Sequence, residues 1–365
     1  MSHIDELYPI LNGIFSLNKA RLNCLIQLII SVIKMRTVNL KELAQAFSGK
    51  ATSDSAYRRI QRFFREVSLD SDFLGKLILC LFGGESGWYL ALDRTNWKFG
   101  KTDINILMLA IVWQGIAIPC MWTLLPKPGN SNSLERITLV NRFFKLYGKS
   151  KIKSLLMDRE FIGEEWLGWL NNHEVPFTVR IRKNLLVNGK KNNQVYVKKL
   201  FSNLSAEKSR IIKKPHVLFG APFWLSGMRL LSGEWLIVLT NHDSTNALER
   251  YRKRWEIETL FGCFKTRGFN LEDTHLSHLE KIDNLLHVLS IAFIWAHKTG
   301  EYREKIQPTK AKTHGRKPIS IFRRGLDFIR VSLLGLSEKW ADFLGAVQVL
   351  ERPDPSGYAA WRGLR

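Results

Sequence analysis

The chain has 365 residues, 45% of them hydrophobic, enough to bury a sizeable core and to exclude wholesale disorder; one large domain or two to three ordinary ones fit this length. Fifty-five Lys and Arg against 33 Asp and Glu give a net charge of +22, which favours a polyanionic partner, nucleic acid ahead of an anionic membrane surface. Cys24, Cys80, Cys120 and Cys263 form no C-x-x-C pair, so a zinc site is not expected and the thiols read as free ones of a reducing compartment.

The opening MSHIDELYPI lacks the basic-then-apolar pattern of a secretory leader. Residues 1–75 read as helical. Leu22, Leu25, Ile26, Ile29, Ile30 and Ile33 recur at helical spacing, and LKELAQAF, SGKATSDS and AYRRIQRFFRE read as helix, turn and helix. The second of these helices carries Arg58, Arg59, Arg62 and Arg65. It fits a DNA recognition helix, with Arg58, Arg59 and Arg62 as contacts, and equally a helical hairpin with a solvated basic face.

From Trp88 the pattern changes to strands: WYLALD, INILMLAIVW and IAIPCMWTLL. The apolar run Ile104–Leu125 is long enough to raise a membrane span, but Gln114-Gly115 and Pro119 interrupt it. Two buried strands joined by a tight turn fit better, and the protein is expected to be soluble and cytoplasmic with no membrane partner. SLERITLVNRFFKLYG then reads as a helix with a capped start at Ser133, KIKSLLMD as a strand, GEEWLGWLNNH as a helix and VPFTVRI as a strand. That order is a mixed α/β layout. Residues 183–240 read as a β-rich insertion. A long helix is predicted from about Asn246 to Thr266, followed by the apolar helix HLEKIDNLLHVLSIAFIWAHKTG and a basic tail from Glu301 to Arg330.

Acidic residues stand out in so basic a chain. Asp93 ends the strand WYLALD and Asp158 ends the strand KSLLMD, and strand ends are where an α/β sheet presents functional groups. Either Asp taken alone fits a turn or cap. In YRKRWEIETLFGCFK, Tyr251, Arg254, Glu258 and Lys265 fall within an arc of roughly 60° of a regular helix. Ile257, Leu260, Phe261 and Phe264 lie beside them and are expected to pack on the sheet. Taken alone, this also fits an ordinary amphipathic helix with an i, i+4 Arg–Glu pair.

The spacing Y-x2-R-x3-E-x6-K, met by Tyr251, Arg254, Glu258 and Lys265, resembles the signature of the insertion-sequence-four family of DDE transposases. ALDRTNW and LLMDREF resemble the segments that carry that family's first and second catalytic Asp. The resemblance runs from about Trp88 to Gly268. It implies an RNase H-like catalytic core over 85–270 interrupted by the 183–240 insertion, a helical DNA-binding region over 1–75, and a helical, basic C-terminal region over 271–365. It implies that Asp93, Asp158 and Glu258 are the catalytic acids and hold two Mg²⁺ ions, with Mn²⁺ an alternative, and that Tyr251, Arg254 and Lys265 grip DNA. Glu160, Glu256 and Asp243 are neighbouring acids that the motif register sets aside.

Carboxylates suit hard divalent ions, and an ion pair can activate a water and relieve charge on a leaving oxygen. Trp255 is a candidate for stacking on a displaced base, with Trp224 or Trp235 as a second ring. The implied function is cleavage and strand transfer on double-stranded DNA at inverted-repeat ends, by a homodimer in the bacterial cytoplasm, associated with the nucleoid. Two alternatives stay open: a catalytically silent, transposase-derived DNA-binding protein, and a nuclease of the same fold without strand transfer.

Overall fold

The computed structural model describes the chain except residues 1, 70, 84–86, 189–192, 314–316, 336–338 and 352–365. The end of the expected 271–365 region and part of the basic tail therefore lie outside the described residues. The N-terminal part is helical: α1 (His3–Ile14), α2 (Lys19–Met35), α3 (Leu40–Gln45), α4 (Ser53–Glu66) and α5 (Ser71–Phe82). Each of the first four starts where a cap side chain, of Ser2, Asn18, Asn39 and Thr52 respectively, accepts a first-turn N–H. On α4, Ala56, Ile60, Phe63 and Phe64 bury one stripe while Arg58, Arg59, Arg62 and Arg65 stay exposed.

Next come β1 (Trp88–Phe99), β2 (Thr102–Trp113), β3 (Ile116–Leu125), α6 (Ser133–Tyr147), β4 (Ile152–Met157), α7 (Glu164–Asn172) and β5 (Phe177–Ile181), in the order expected. The β2–β3 turn is Gln114-Gly115, with φ of 48° and 94°. Positive φ at both central residues gives a two-residue turn whose twist matches that of the strands. Pro119 lies where the β2–β3 register shifts between Leu109 and Ala110, on the terminal strand of the sheet. A bulge on an edge strand tolerates a residue with no N–H. The start of α6 corrects the expectation: Asn132 is the cap, in a reciprocal pair with Glu135, and Ser133 is the first helical residue.

The insertion holds β6 (Leu186–Asn188), β7 (Gln194–Tyr196), β8 (Ser209–Ile211), β9 (His216–Leu218), β10 (Ala221–Arg229) and β11 (Trp235–Thr240). The sheet order is β3-β2-β1-β4-β5-β11-β10-β9-β6-β7, with β8 paired to β10. β1, β4 and β5 are parallel, and β11 returns antiparallel to β5. The described architecture is thus a large mixed sheet with flanking helices and helical regions towards both ends, the mixed α/β layout expected.

The predicted long helix is divided. α8 (Ala247–Arg252) and α9 (Glu256–Phe264) are joined by a 3₁₀ turn at Lys253–Trp255. α10 (Leu279–Ile306), α11 (Ile321–Leu334) and α12 (Trp340–Glu351) complete the described elements. The chain falls into two compact units, one of Met1–Glu85, Trp97–Ile104 and Phe261–Arg365, the other of Ser86–Asn96 and Asn105–Leu260. Phe264 packs edge-on against Phe293 of α10 at 5.8 Å, so it serves a helical core where packing on the sheet was expected. No described helix is long and apolar enough to cross a membrane.

Candidate active site

The parallel pairing of β1 with β4 brings two acids side by side. Leu92 is in register with Met157, so Asp93 and Asp158 are the next residues on neighbouring parallel strands, which run about 4.8 Å apart. β1 itself continues to Phe99; Asp93 marks the end of its described pairing with β4, where the expectation had the strand end. Asp158, expected as the last strand residue, lies one position past β4 and caps the 3₁₀ turn Arg159–Phe161, its carboxylate accepting the Arg159 N–H at 2.8 Å. The Asp93 carboxylate accepts the Arg94 N–H at the same distance.

The third acid arrives on the helix after β11. Tyr251 is 1% exposed, its ring packed with Ala247 against Leu236 and Val238 of β11, which fixes α8 on the sheet. Its hydroxyl donates to Asp158 Oδ1 at 3.1 Å. Arg254, on the 3₁₀ turn and 3% exposed, donates to three partners: Tyr251 Oη at 3.2 Å, Asp93 Oδ2 at 2.8 Å and Glu258 Oε1 at 2.7 Å. Asp93, Asp158 and Glu258 are thereby joined in one hydrogen-bonded cluster, although each comes from a different element. Glu258 is its open edge, with 56% of its side chain exposed.

Burial pushes the Asp93 carboxyl up to about 6 against the pull of Arg254, and Glu160 and Asp158 raise it further. Burial pushes the Tyr251 hydroxyl up to about 12. Arg254 has the larger burial penalty overcome by Tyr251 and the acids around it, which hold its guanidinium charged. Arg94 adds a second layer. Its guanidinium donates to Asn105 Oδ1 at 3.0 Å, Asn130 Oδ1 at 3.1 Å and Glu160 Oε2 at 3.4 Å. Asn105 in turn donates to the Lys127 and Gly129 carbonyls.

Glu160, which the motif register sets aside, belongs to this cluster, and its Oε1 is buried with no hydrogen-bond partner. Among the described residues no three His, Cys, Asp or Glu side chains are grouped as metal ligands; Arg254 bridges two of the acids instead. The donor set nevertheless fits a hard divalent ion: carboxylate oxygens only, one of them orphaned, around a buried Asp that its acidic neighbours destabilise as an anion.

The other sequence candidates lie in different settings. Lys265 follows the last residue of α9, pairs with Glu272 at 2.6 Å and lies 5.8 Å from the centre of the Trp97 ring. Trp255 is 45% exposed. Trp224 is half-buried, and Trp235 is covered by Arg229 at 5.4 Å. Arg58 and Arg62 are exposed, while Arg59 donates to the Ala20 carbonyl at 3.4 Å.

Glu256 and Asp243 have structural work. Glu256 accepts the Trp113 N–H at the β2–β3 hairpin, and burial raises it to about 7. Asp243 accepts from Thr245 N–H and Arg250. Sequence reasoning missed Arg94, Asn105 and Asn130. The one local signal was an Arg directly after the candidate Asp in ALDRTNW.

A family model described as "Transposase DDE domain" matches residues 86–295, more than half of the chain. The chain belongs to the transposase DDE domain family. The matched segment contains Asp93, Asp158 and Glu258 together with Tyr251, Arg254 and Arg94. Among solved structures, the chain is similar to one described as a cryo-EM structure of a piggyBac transposase synaptic complex with hairpin DNA. That likeness has 14% identity and a TM-score of 0.44, covering 99% of this chain and 81% of the other. A comparison with curated proteins gives no match.

Proposed function

We propose that this chain is a transposase of the insertion-sequence-four family that binds the ends of a DNA element, cleaves there and joins the freed strand to a target. One observation carries the reading: Asp93, Asp158 and Glu258, 65 and 100 residues apart in sequence, share one hydrogen-bonded cluster inside the family domain. These three acids would hold two Mg²⁺ ions, or Mn²⁺. When bound, the ions supply an activated water and charge relief at the scissile phosphate.

The protein side of the site is positioning. Tyr251 holds the Asp158 carboxylate from a ring anchored in the core. Arg254 holds Asp93 and Glu258 by separate N–H groups of one planar guanidinium, which a Lys point charge cannot reproduce. Both are buried, so their first role is to orient the acids, and contact with DNA phosphate requires that Arg254 release one of them. Beside Asp158, Asn130, Arg159, Glu160, Arg182 and Asn184 line a cavity of about 480 Å³. Its two arginines give a strand phosphate cationic partners close to the acids. Exposed Trp255 is available for base stacking, and Lys265 with Arg58, Arg59 and Arg62 for backbone phosphates. On this reading residues 1–75 and 271–365 add DNA and dimer contacts to the 85–270 core, and the active species on paired ends is a homodimer.

The test uses duplexes made from the DNA bordering the coding sequence, with Mg²⁺ or Mn²⁺ and a supercoiled target. The wild-type chain is expected to nick these ends and give strand-transfer products. Asp93→Asn, Asp158→Asn and Glu258→Gln are each expected to bind the ends and leave them uncut. A variant that still cuts removes its residue from the site. Cutting without transfer products leaves a nuclease, and end binding without cutting by the wild type leaves a silent DNA-binding protein.

A further inference from the structure

A polar recess lies within the helical unit, away from the acid cluster. It is a cavity of about 520 Å³ walled by α3, α4 and the segment leading into α10. Four-residue spacing puts Tyr57, Gln61 and Arg65 on one stripe of α4, and all three line it. Lys41 and Asn39 enter from the start of α3, and His275, Ser277, His278 and Lys281 from the opposite wall. The described lining contains no Asp or Glu. Arg65 pairs with Glu66 at 3.0 Å, but both side chains are exposed, and such a pair holds little energy. Among the described residues no ion pair is found for Lys41 or Lys281.

The walls are fixed in place. The His275 ring stacks on Phe99 at 5.4 Å with an interplanar angle of 17°, and the fully buried Thr274 accepts the Leu276 N–H at 3.3 Å. Cations from three separate elements converge on a recess with no carboxylate, which concentrates positive potential where field lines are focused. Amide and hydroxyl groups stand between the cations, the mixture that binds phosphate and sugar oxygens without reading sequence.

We propose that this recess is a second DNA contact, taking the sugar-phosphate backbone of duplex DNA through Lys41, Arg65 and Lys281. This rests on the DNA-acting reading above but uses none of its acids. It also differs from the sequence expectation, because Arg58, Arg59 and Arg62 are not among the residues that line the recess.

The experiment measures binding of the full chain to a labelled duplex by fluorescence anisotropy over a range of KCl concentrations. Each phosphate contact adds about 0.9 to the salt slope. Lys41→Ala/Arg65→Ala/Lys281→Ala is expected to flatten the slope by about 2–3 and to weaken binding on the order of tenfold or more at moderate salt. Lys145→Ala/Lys208→Ala/Lys213→Ala removes the same charge from exposed positions outside the 1–75 and 271–365 regions and is expected to flatten it by less than about 1. Equal flattening by both triples, or an unchanged slope in the first, overturns the proposal.

Should the first triple melt early, Gln61→Arg gives the second reading. It adds a cation to the same stripe and must steepen the slope; an unchanged slope overturns the proposal. A wild type that binds no duplex at any salt sinks the DNA-acting reading itself. Wild-type binding with an unmoved slope in the first triple removes only this contact.

Discussion

Arg254 is 3% exposed and shares its guanidinium between Asp93 and Glu258. Removing one partner of a buried pair leaves an uncompensated charge, at a cost of about 3–5 kcal/mol. Arg254→Ala is therefore expected to lower stability by about that much near neutral pH, measured by urea unfolding. The pH dependence follows from Asp93, whose carboxyl is raised from 3.8 to about 6 in the folded chain. A group raised on folding gives its full stabilisation below its unfolded value and loses it as pH rises through its folded one. Below about pH 6 the folded Asp93 takes up its proton and needs no cation, so the Arg254→Ala deficit should shrink as pH falls through that value. The double variant Arg254→Ala/Asp93→Asn should recover much of the loss at pH 7. A deficit that is the same at pH 5 and pH 8 would show that the Arg254 contribution is packing rather than charge. That Asp93, Asp158 and Glu258 come together was legible from their motif spacing, and one hydrogen-bonded cluster joins them. The role of Arg254 was not. Periodicity puts it on one face with Glu258 but says nothing of Asp93, 161 positions away, and the reading as a phosphate grip follows from charge when burial is unknown.

At the level of elements, local rules held where one residue type decides the backbone. Gln114-Gly115 turned the chain as expected because a two-residue hairpin turn needs positive φ at both positions and Gly supplies it at no steric cost. The division of the Asn246–Thr266 helix was not visible. Lys253, Arg254 and Trp255 are all acceptable helix residues, and the 3₁₀ turn there accompanies the burial of Arg254 between the acids. A tightened turn shifts the helical phase of the residues after it, which a regular 100° wheel does not show; Lys265, one residue past α9, pairs with Glu272 and lies beside the Trp97 ring. The packing of α10 against α11 was equally hidden, since a Gly in an apolar helix reads only as weak propensity. A Cβ on Gly325 would lie 1.8 Å from the Ala296 carbonyl oxygen and 2.5 Å from the Gly300 nitrogen. These are backbone atoms of α10 and cannot turn away as a side chain does, so the helices must separate. Gly325→Ala is expected to cost about 3 kcal/mol or more, at or beyond the upper range for overpacking, although it raises helix propensity. Thermal melts check this, and an unchanged or raised midpoint would mean that the two helices part without loss.

For the molecule as a whole, the division into two units cuts across sequence order. Trp97–Ile104 belongs with the N- and C-terminal helical regions, while the strands around it belong to the sheet, an arrangement no linear reading of element boundaries contains. Net charge, by contrast, needs no fold. With 55 cationic and 33 acidic side chains, even full one-to-one pairing leaves 22 cations without an acid, so the folded chain repels itself. At low ionic strength the Debye length is about 30 Å and at physiological salt about 8 Å. Added NaCl should therefore raise the melting temperature of the free chain by an amount on the order of a few degrees. Duplex DNA should raise it too, because a ligand that binds only the native state stabilises it in proportion to the logarithm of its free concentration over Kd. The two effects then have opposite salt dependence, since the DNA contribution must shrink as salt weakens phosphate contacts. Melting the chain over a range of NaCl, with and without duplex, should give a rising curve for the free protein and a converging one for the complex. A free chain whose midpoint falls with salt would mean that its cations are held by specific ion pairs that screening destroys. A duplex-induced shift that survives high salt would mean that the contact is largely uncharged, contrary to what a chain of this composition can offer.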